Sequence, residues 1–335
     1  EISLGLVGSE MCIRDSPMII TISIVSFLLV RIAPTDPVRA QITPETRIED
    51  IEKIRENMGL NDSYPVQYAR WAKGILKGDF GYSFSNHRPV LDQVTERLPA
   101  TLGLMGSAFL LALILGTLIG VFSGMNEGGI FDRIFTFLSY IGISIPAFWF
   151  AMMAVHMFSL RLGWFPSIGM RTLGVDTFAD LAKHSVLPIL TLSIGDIAVI
   201  SRYVRSRVLE QLREDYVMTE LAQGSSKREL FFKSILKNSL LPLITLVGMS
   251  LPSLVSGAFI TESIFGWPGL GQLGMNAIFK ADYPVIMATT MFASLLLILG
   301  NLISDILYGC LLYTSDAADD TPCGGLGGRR IIKKK

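Results

Sequence analysis

The sequence predicts an all-α polytopic membrane protein with six transmembrane helices, and three observations carry that expectation. The first is composition. Half of the 335 residues are hydrophobic and only 17% are charged, against about 25% in a typical soluble domain, and the mean hydropathy is +0.48. The second is where the charges are missing. Leu98–Asn126, Asn238–Thr261 and Tyr283–Ser304 carry none, Ile134–Leu160 carries only His156, and Ser185–Ser201 carries only Asp196. A bilayer core needs roughly 20 apolar residues as helix, and helices of soluble cores are rarely uncharged for that long. The third is punctuation: Pro146, Pro188, Pro252, Gly116, Gly120, Gly142 and Gly248 lie inside these runs, where transmembrane helices tolerate them. Gly116 and Gly120 have the GxxxG spacing of a helix-packing face.

The sixth run, Ser16–Val30, is shorter. As helix, Pro17–Ala33 spans about 25 Å, less than the bilayer core. Lys+Arg and Asp+Glu balance at 29 each, so nothing draws the chain to nucleic acid. The three cysteines, Cys12, Cys310 and Cys323, lie outside the central body, which excludes a disulfide framework or thiolate metal site there.

Orientation follows from the basic residues. The connection from Ser201 to Lys237 holds Arg202, Arg205, Arg207, Arg213, Lys227, Arg228, Lys233 and Lys237. The short loops on the other side hold Arg161, Arg171, Lys183 and Lys280. The positive-inside rule places the basic segment, and with six spans both termini, in the cytoplasm. The long first loop then lies outside. In it, PETRIEDIEKIRENMGL and YPVQYARWAKGILKGDFG carry apolar residues at helical spacing. These amphipathic pieces cap the outer mouth or lie on the membrane surface.

The stretch DYVMTELAQGSSKRELFFKSILKNSLLPLIT, 215–245, predicts a helical hairpin. Gly224 suits the left-handed residue that ends a helix. Ser226-Lys-Arg-Glu229 has the form of a capping box. Leu230, Phe231, Ile235 and Leu236 form a stripe for a protein groove; the competing reading is a hairpin resting on the inner leaflet.

This stretch resembles the EAA loop of ABC-transporter permeases, in the B-type branch of the dipeptide/oligopeptide/nickel importers. There the loop reads roughly D-Y-V-x-T-A-x-A-x-G, then a helix, then N-x-L-L-P. Asp215, Tyr216, Val217, Thr219, Ala222, Gly224, Asn238, Leu240, Leu241 and Pro242 match it. Glu220, where alanine is usual, and Gln223, often lysine, depart from it. RIAPTDPV, NMGLNDSYPVQYARW, GDFGYSF, RPVLDQVTERLPATL, SIPAFWF, RLGWFPSIG, ESIFGWPGLGQL and DYPVI are similar to family blocks, in the family's order, across about Pro17–Gly309.

The resemblance implies a type I ABC importer-like permease in the cytoplasmic (inner) membrane of a prokaryote, moving di- and oligopeptides by alternating access. It implies a second homologous permease, two ATP-binding subunits and an extracytoplasmic solute-binding protein as partners. It makes Asp215, Tyr216, Thr219, Ala222, Gly224, Phe231, Ile235, Asn238 and Pro242 the ATPase-coupling loop. Glu262, Trp267, Pro268 and Gly269 become gating or receptor-side candidates. Nickel-chelate and sugar importers share the scaffold.

The expected organisation is a non-family extension at 1–16, a first helix at 17–33 and an extracytoplasmic helical loop at 34–97. A five-helix core at 98–309 follows, with the coupling loop at 207–238, and then a tail at 310–335. Both ends read as translated cloning sequence and are expected to contribute nothing to transport.

Catalytic chemistry is not expected. No G-x-x-x-x-G-K-[ST], H-E-x-x-H or G-x-S-x-G occurs, so ATP hydrolysis belongs to separate subunits and neither cofactor nor metal is expected. Intramembrane-protease readings fail on spacing: Ser193-Ile-Gly-Asp196 lacks the first glycine of G-x-G-D, and Gly142-Ile-Ser144-Ile145 ends wrongly for G-x-S-G. The stronger alternative is an ion-gradient-driven secondary transporter with the intramembrane acid Asp196 as its ion site, which would have no use for the hairpin.

Overall fold

The structure, a computed structural model, describes residues 2–32, 52, 55–56, 59–240, 243 and 258–319. Pro242, most of the expected fifth span, most of 44–60 and the tail from 320 lie outside the described residues.

The described chain is helical. Helix α1 is Ile2–Ile32, with Pro17 inside it at the head of its apolar part. Helix α2, Tyr64–Leu76, starts at Ser63 with a proline in its first turn, where the missing N–H costs nothing. Helix α3, Val90–Met125, is 36 residues, about 54 Å at 1.5 Å per residue. Helices α4, Ile130–Ser144, and α5, Ala147–Ala154, follow, and α5 runs on as a π-helix over Val155–Arg161. Helix α6 is Phe178–Leu212, with Thr177 Oγ1 accepting from Asp180 N at 3.3 Å as its N-cap. Two short helices come next: α7, Asp215–Ala222, and α8, Lys227–Leu230, which continues through a π-turn at Phe231–Ile235 into Leu236–Leu240. Residues 258–264 are helical, then α9 is Leu270–Phe279 and α10 is Tyr283–Asp319.

Among the described residues, Val90–Met125, Phe178–Leu212 and Tyr283–Ile303 are long and apolar enough to cross a membrane. The run 134–160, expected as one span, is built of α4 and α5 meeting at 106°. The cause is Pro146. Proline biases the residue before it away from helix, and Ile145 is extended, with φ −83° and ψ 125°. The pair is a broken span or a re-entrant loop; as one span it makes a fourth crossing.

The core of the bundle is a seam between α3 and α6. Buried positions on α3 recur every fourth residue: Leu104, Ala108, Ala112, Gly116, Gly120 and Gly124. Two residues out of phase, Leu110, Ile114, Leu118 and Phe122 are exposed. Both faces are apolar, so polarity does not distinguish them; side-chain size does. A Cβ on Gly116 would stand 2.8 Å from Ile200, one on Gly120 2.6 Å from the Ser201 carbonyl oxygen, and one on Gly124 2.8 Å from Val208. Lipid tails are as apolar as leucine, so close backbone approach and dispersion, rather than expulsion of water, hold such a pair.

Polar contacts fasten the neighbouring helices. Asp132 in the first turn of α4 receives Arg205 Nε at 2.5 Å and Nη2 at 2.8 Å, with Ser123 Oγ at 2.6 Å and Gly128 N at 2.9 Å. This bidentate pair joins the α3–α4 turn to α6. On α1, Ser23 Oγ and Tyr68 Oη lie 2.7 Å apart, and Phe27, Tyr68 and Trp71 pack ring to ring, so α2 seats on α1.

Gly120→Leu is expected to separate α3 from α6, since the first atom in its way is backbone. Overpacking of this kind costs about 1–3 kcal/mol, whereas Leu118→Ala on the lipid-facing side is expected to stay within about 0.5 kcal/mol. Thermal unfolding of the two variants in detergent checks the contrast; equal midpoints would remove the seam from the account.

Candidate functional site

Two constructions stand near the two ends of α3, and the hairpin is the first. Helix α7 ends where Gly224 takes φ +90°. Gly224 N donates to Leu221 O at 3.0 Å and Ser225 N to Glu220 O at 3.1 Å, which closes the helix end on its own carbonyls. Ser226 Oγ then accepts Glu229 N at 3.2 Å, the expected start of α8. Ser234 Oγ donates to Glu220 Oε1 at 2.8 Å. Glu220, one of the two departures from the family pattern, therefore ties the two arms together.

The base of the hairpin is apolar. Val217, Leu230, Phe231 and Ile235 pack with Val204 and Val208 of α6 and with Leu243. Here the expected docking stripe is corrected: Phe231 is 7% exposed and Ile235 2%. They anchor the hairpin to the chain's own spans instead of facing a partner. Helix α8 curls back over α6, so the apolar stripe covers the nearest apolar surface. The exposed apolar residues are Met218, Leu221 and Phe232, at 72%, 36% and 61%. Nothing in the heptad-like spacing separates these from the buried ones; only the fold-back does.

Of the other expected loop residues, Asp215, Thr219, Ala222, Gly224 and Asn238 are exposed. Tyr216 is half-buried and its hydroxyl donates to Gln211 Oε1 at 2.9 Å. Burial pushes its phenol above the ordinary tyrosine range, while a hydrogen bond with Asn238 acts in the opposite direction.

The second construction is a latch on Glu262, which is fully buried. Its carboxylate accepts Thr101 Oγ1 at 2.7 Å, Gly271 N at 2.6 Å and Gln272 N at 3.3 Å. The two amides belong to the first turn of α9, where backbone donors lack helical partners and favour negative charge. Thr101 Oγ1 in turn accepts Leu270 N at 2.8 Å. Trp267 Nε1 donates to Ala100 O at 3.0 Å, and Arg97 Nη1 to Gln272 Oε1 at 3.1 Å. A Cβ on Gly269 would strike the Glu262 carboxylate, so glycine there admits the acid. The structure thus brings Glu262, Trp267 and Gly269 together, with the half-buried Pro268 in the same turn, and fastens them to α3. Glu262 does not reach a surface, so any influence it has on a partner passes through the turn.

Asp196 on α6 is part-buried and makes no hydrogen bond or ion pair among the described residues. Arg202 lies over the Tyr140 ring at 4.5 Å rather than beside Asp196. Two anchors were not expected: the Asp132–Arg205 pair, and Asp282, which takes Ser83 Oγ at 2.5 Å and the amides of Phe84 and Ser85 at 3.0 and 3.2 Å. A lone acid next to a charge-free run was the available signal for each. Among the described residues no cluster of His, Cys, Asp or Glu suits a metal ion.

Comparison with known proteins gives the family. The family "binding-protein-dependent transport system inner membrane component" matches residues 116–312, and the N-terminal part of such membrane components matches 13–105. An oligopeptide transport system permease protein of Bacillus subtilis is 40% identical over 294 residues, covering 87% of this chain and 93% of that protein. A dipeptide transport system permease protein of Alkalihalophilus pseudofirmus is 33% identical over 311 residues, covering 87% and 93%. A glutathione transport system permease protein of Salmonella paratyphi A is 35% identical over 295 residues, covering 88% and 94%. Among solved structures, an inward-facing form of the MetNI methionine ABC transporter superposes with a TM-score of 0.52 at 20% identity, over 66% of this chain and 95% of that one; this likeness speaks for the fold. The chain belongs to the inner-membrane permease components of binding-protein-dependent ABC transport systems.

Proposed function

We propose that this permease carries peptides inward across a cytoplasmic membrane by alternating access, and that its hairpin takes the stroke from ATP-binding subunits. The observation that carries the reading is the hairpin itself: an exposed apolar tip, Met218, Leu221 and Phe232, mounted on a base buried against α6. A hairpin resting on lipid needs no such base. The peptide substrate class is supported by the oligopeptide, dipeptide and glutathione permeases among its relatives.

The working assembly is this chain, a second permease, two ATP-binding subunits and an extracytoplasmic solute-binding protein. The chain supplies pathway and coupling and leaves hydrolysis to the motors. The basic residues around α6 and the hairpin support a cytoplasmic hairpin and cytoplasmic termini. In this scheme Asp215, Thr219, Ala222, Gly224 and Asn238 border the motor contact. Phe231 and Ile235 transmit its motion, and Glu262 with the 266–271 turn controls the outer end. Residues 34–97 form the outer loop and 98–309 the core.

Met218→Asp with Phe232→Asp is expected to lower ATPase retention and peptide uptake at least about tenfold, the loss of roughly 1.4 kcal/mol or more at the contact. Insertion and permease pairing are expected to persist. Gly224→Val meets nothing within 4 Å, so its cost is the left-handed backbone, about 1–2 kcal/mol, and it is expected to uncouple hydrolysis from uptake. Purified complexes, scored for bound ATPase, receptor-stimulated hydrolysis and uptake together, settle it: normal values in both variants would reduce the hairpin to a membrane-surface element.

Glu262→Ala leaves two buried amides and a hydroxyl without their acceptor, each costing about 1–3 kcal/mol, and is expected to abolish uptake. Glu262→Gln keeps an acceptor and is expected to recover part of it. Asp196→Asn is expected to be mild. Uptake in proteoliposomes ranks the three, and the reverse order would favour an ion-driven transporter built around Asp196.

A further inference from the structure

Helix α6 has three faces, and two are taken. Ile200, Val204 and Val208 are buried against α3 and the hairpin. Ala198 and Ser201 meet Gly142 and Ser139 of α4. The third face carries Gly195, Val199, Arg202 and Ser206, at spacings of four, three and four that keep them in line. Asp196 and Tyr203 flank them. Val199, Arg202 and Ser206 are exposed; Gly195, Asp196 and Tyr203 are half-buried.

This composition does not suit lipid. The lipid-facing stripe of α3 is Leu110, Ile114, Leu118 and Phe122, whereas the α6 stripe has one valine among groups that are polar, charged or without a side chain. Asp196 lies inside the apolar run of α6 with no hydrogen bond or ion pair among the described residues. An acid at that depth is expensive unless it faces a partner or a wet path. Helix α6 is also the innermost of the three long spans: 50% of its apolar window is buried, against 28% for α3 and for α10.

Helix α4 supplies a second wall. Thr136 and Tyr140 border, with Val199, Arg202, Tyr203 and Ser206, a groove of about 450 Å³, within the range of small-ligand sites. Arg202 lies over the Tyr140 ring at 4.5 Å, and among the described residues no carboxylate pairs with it. A Cβ on Gly195 would meet nothing within 4 Å, unlike those on the seam glycines, so the face stays open one turn beyond the groove.

Resting on the reading of this chain as a peptide carrier, we propose that this face of α6, with Tyr140 of α4, is a wall of the pathway along which the peptide leaves toward the hairpin side. The chemistry suits cargo of any sequence. The hydroxyls of Tyr140, Tyr203 and Ser206 both donate and accept, so they meet amide N–H and C=O groups alike without reading side chains. Asp196 suits the ammonium of the peptide and Arg202 its carboxylate. These are stations on a path rather than a closed site, which fits the mild effect expected of Asp196→Asn.

Thiol accessibility tests this. With Cys12, Cys310 and Cys323 replaced by alanine, Gly195→Cys, Val199→Cys and the lipid-facing control Leu118→Cys are each assembled into the complete complex in lipid nanodiscs and treated with a membrane-impermeant methanethiosulfonate. The thiolate is the reacting form and apolar surroundings suppress it, so the two α6 positions are expected to react at least about tenfold faster than the control. Labelling at either is then expected to stop peptide uptake after reconstitution, with the ATP-binding subunits retained. Reaction no faster than at Leu118→Cys would overturn the proposal, because lipid or the second permease would then cover the face. A labelled complex that still transports normally would overturn it too, leaving the face wet but off the path. The labelling contrast is read without transport, so an unlabelled complex that moves no peptide would refute the cargo and not the wall.

Discussion

The α3–α6 seam is the constraint on which the other parts depend. Glycine at 116, 120 and 124 brings two backbones to a separation that no side chain would permit. Once α3 and α6 are fixed, Asp132 can reach Arg205 across the α3–α4 turn, Thr101 is placed to meet Glu262, and the end of α6 offers Val204 and Val208 to the hairpin. In hydrocarbon the alternative for a helix face is a lipid tail of similar polarity, so shape decides the pairing. That is why the seam consists of small residues and the exposed face of α3 of large ones.

The same helices join the two ends of the bundle. Thr101 and Gly124 are separated by 23 positions on one helix, about 35 Å. The hairpin is packed on α6 through buried aliphatic and aromatic side chains and α6 on α3, so in the proposed cycle the three move together. The Glu220–Ser234 bond ties the two arms of the hairpin to each other.

Much of this was legible in the sequence, and the illegible part has a common cause. Charge-free runs located α3, α6 and α10 because the bilayer imposes a length. Gly224 and Ser226 located the hairpin's bend because only local backbone geometry was involved. GxxxG located half the seam. The bend at Pro146 was missed: proline is common in spans, and hydropathy does not register direction. The division of the hairpin stripe into buried Phe231 and exposed Phe232 was missed because both are phenylalanine, adjacent, and sorted only by where α8 folds back. Glu262 was visible as an acid at the end of a span, but its partners Thr101 and Gly271 come from segments that only the tertiary fold unites. Pro242 lies outside the described residues and adds nothing either way.

The two ends of the bundle are held by different physics, and the difference suits the proposed cycle. At the hairpin, burial is apolar and non-directional, so the contact survives small rotations and transmits motion as a body. At the latch, the bonds are directional: one carboxylate receives two amides and a hydroxyl, with Trp267 and Arg97 adding a strand on each side. Such a site is all or none, because a carboxylate that loses its donors while still buried is costly, whereas one that reaches water recovers its solvation. In the proposed cycle such a latch is favoured closed or fully open to water and disfavoured between. An outer gate in an alternating-access transporter needs that two-state character, and a buried acid on a helix N-terminus supplies it where leucine packing would yield gradually.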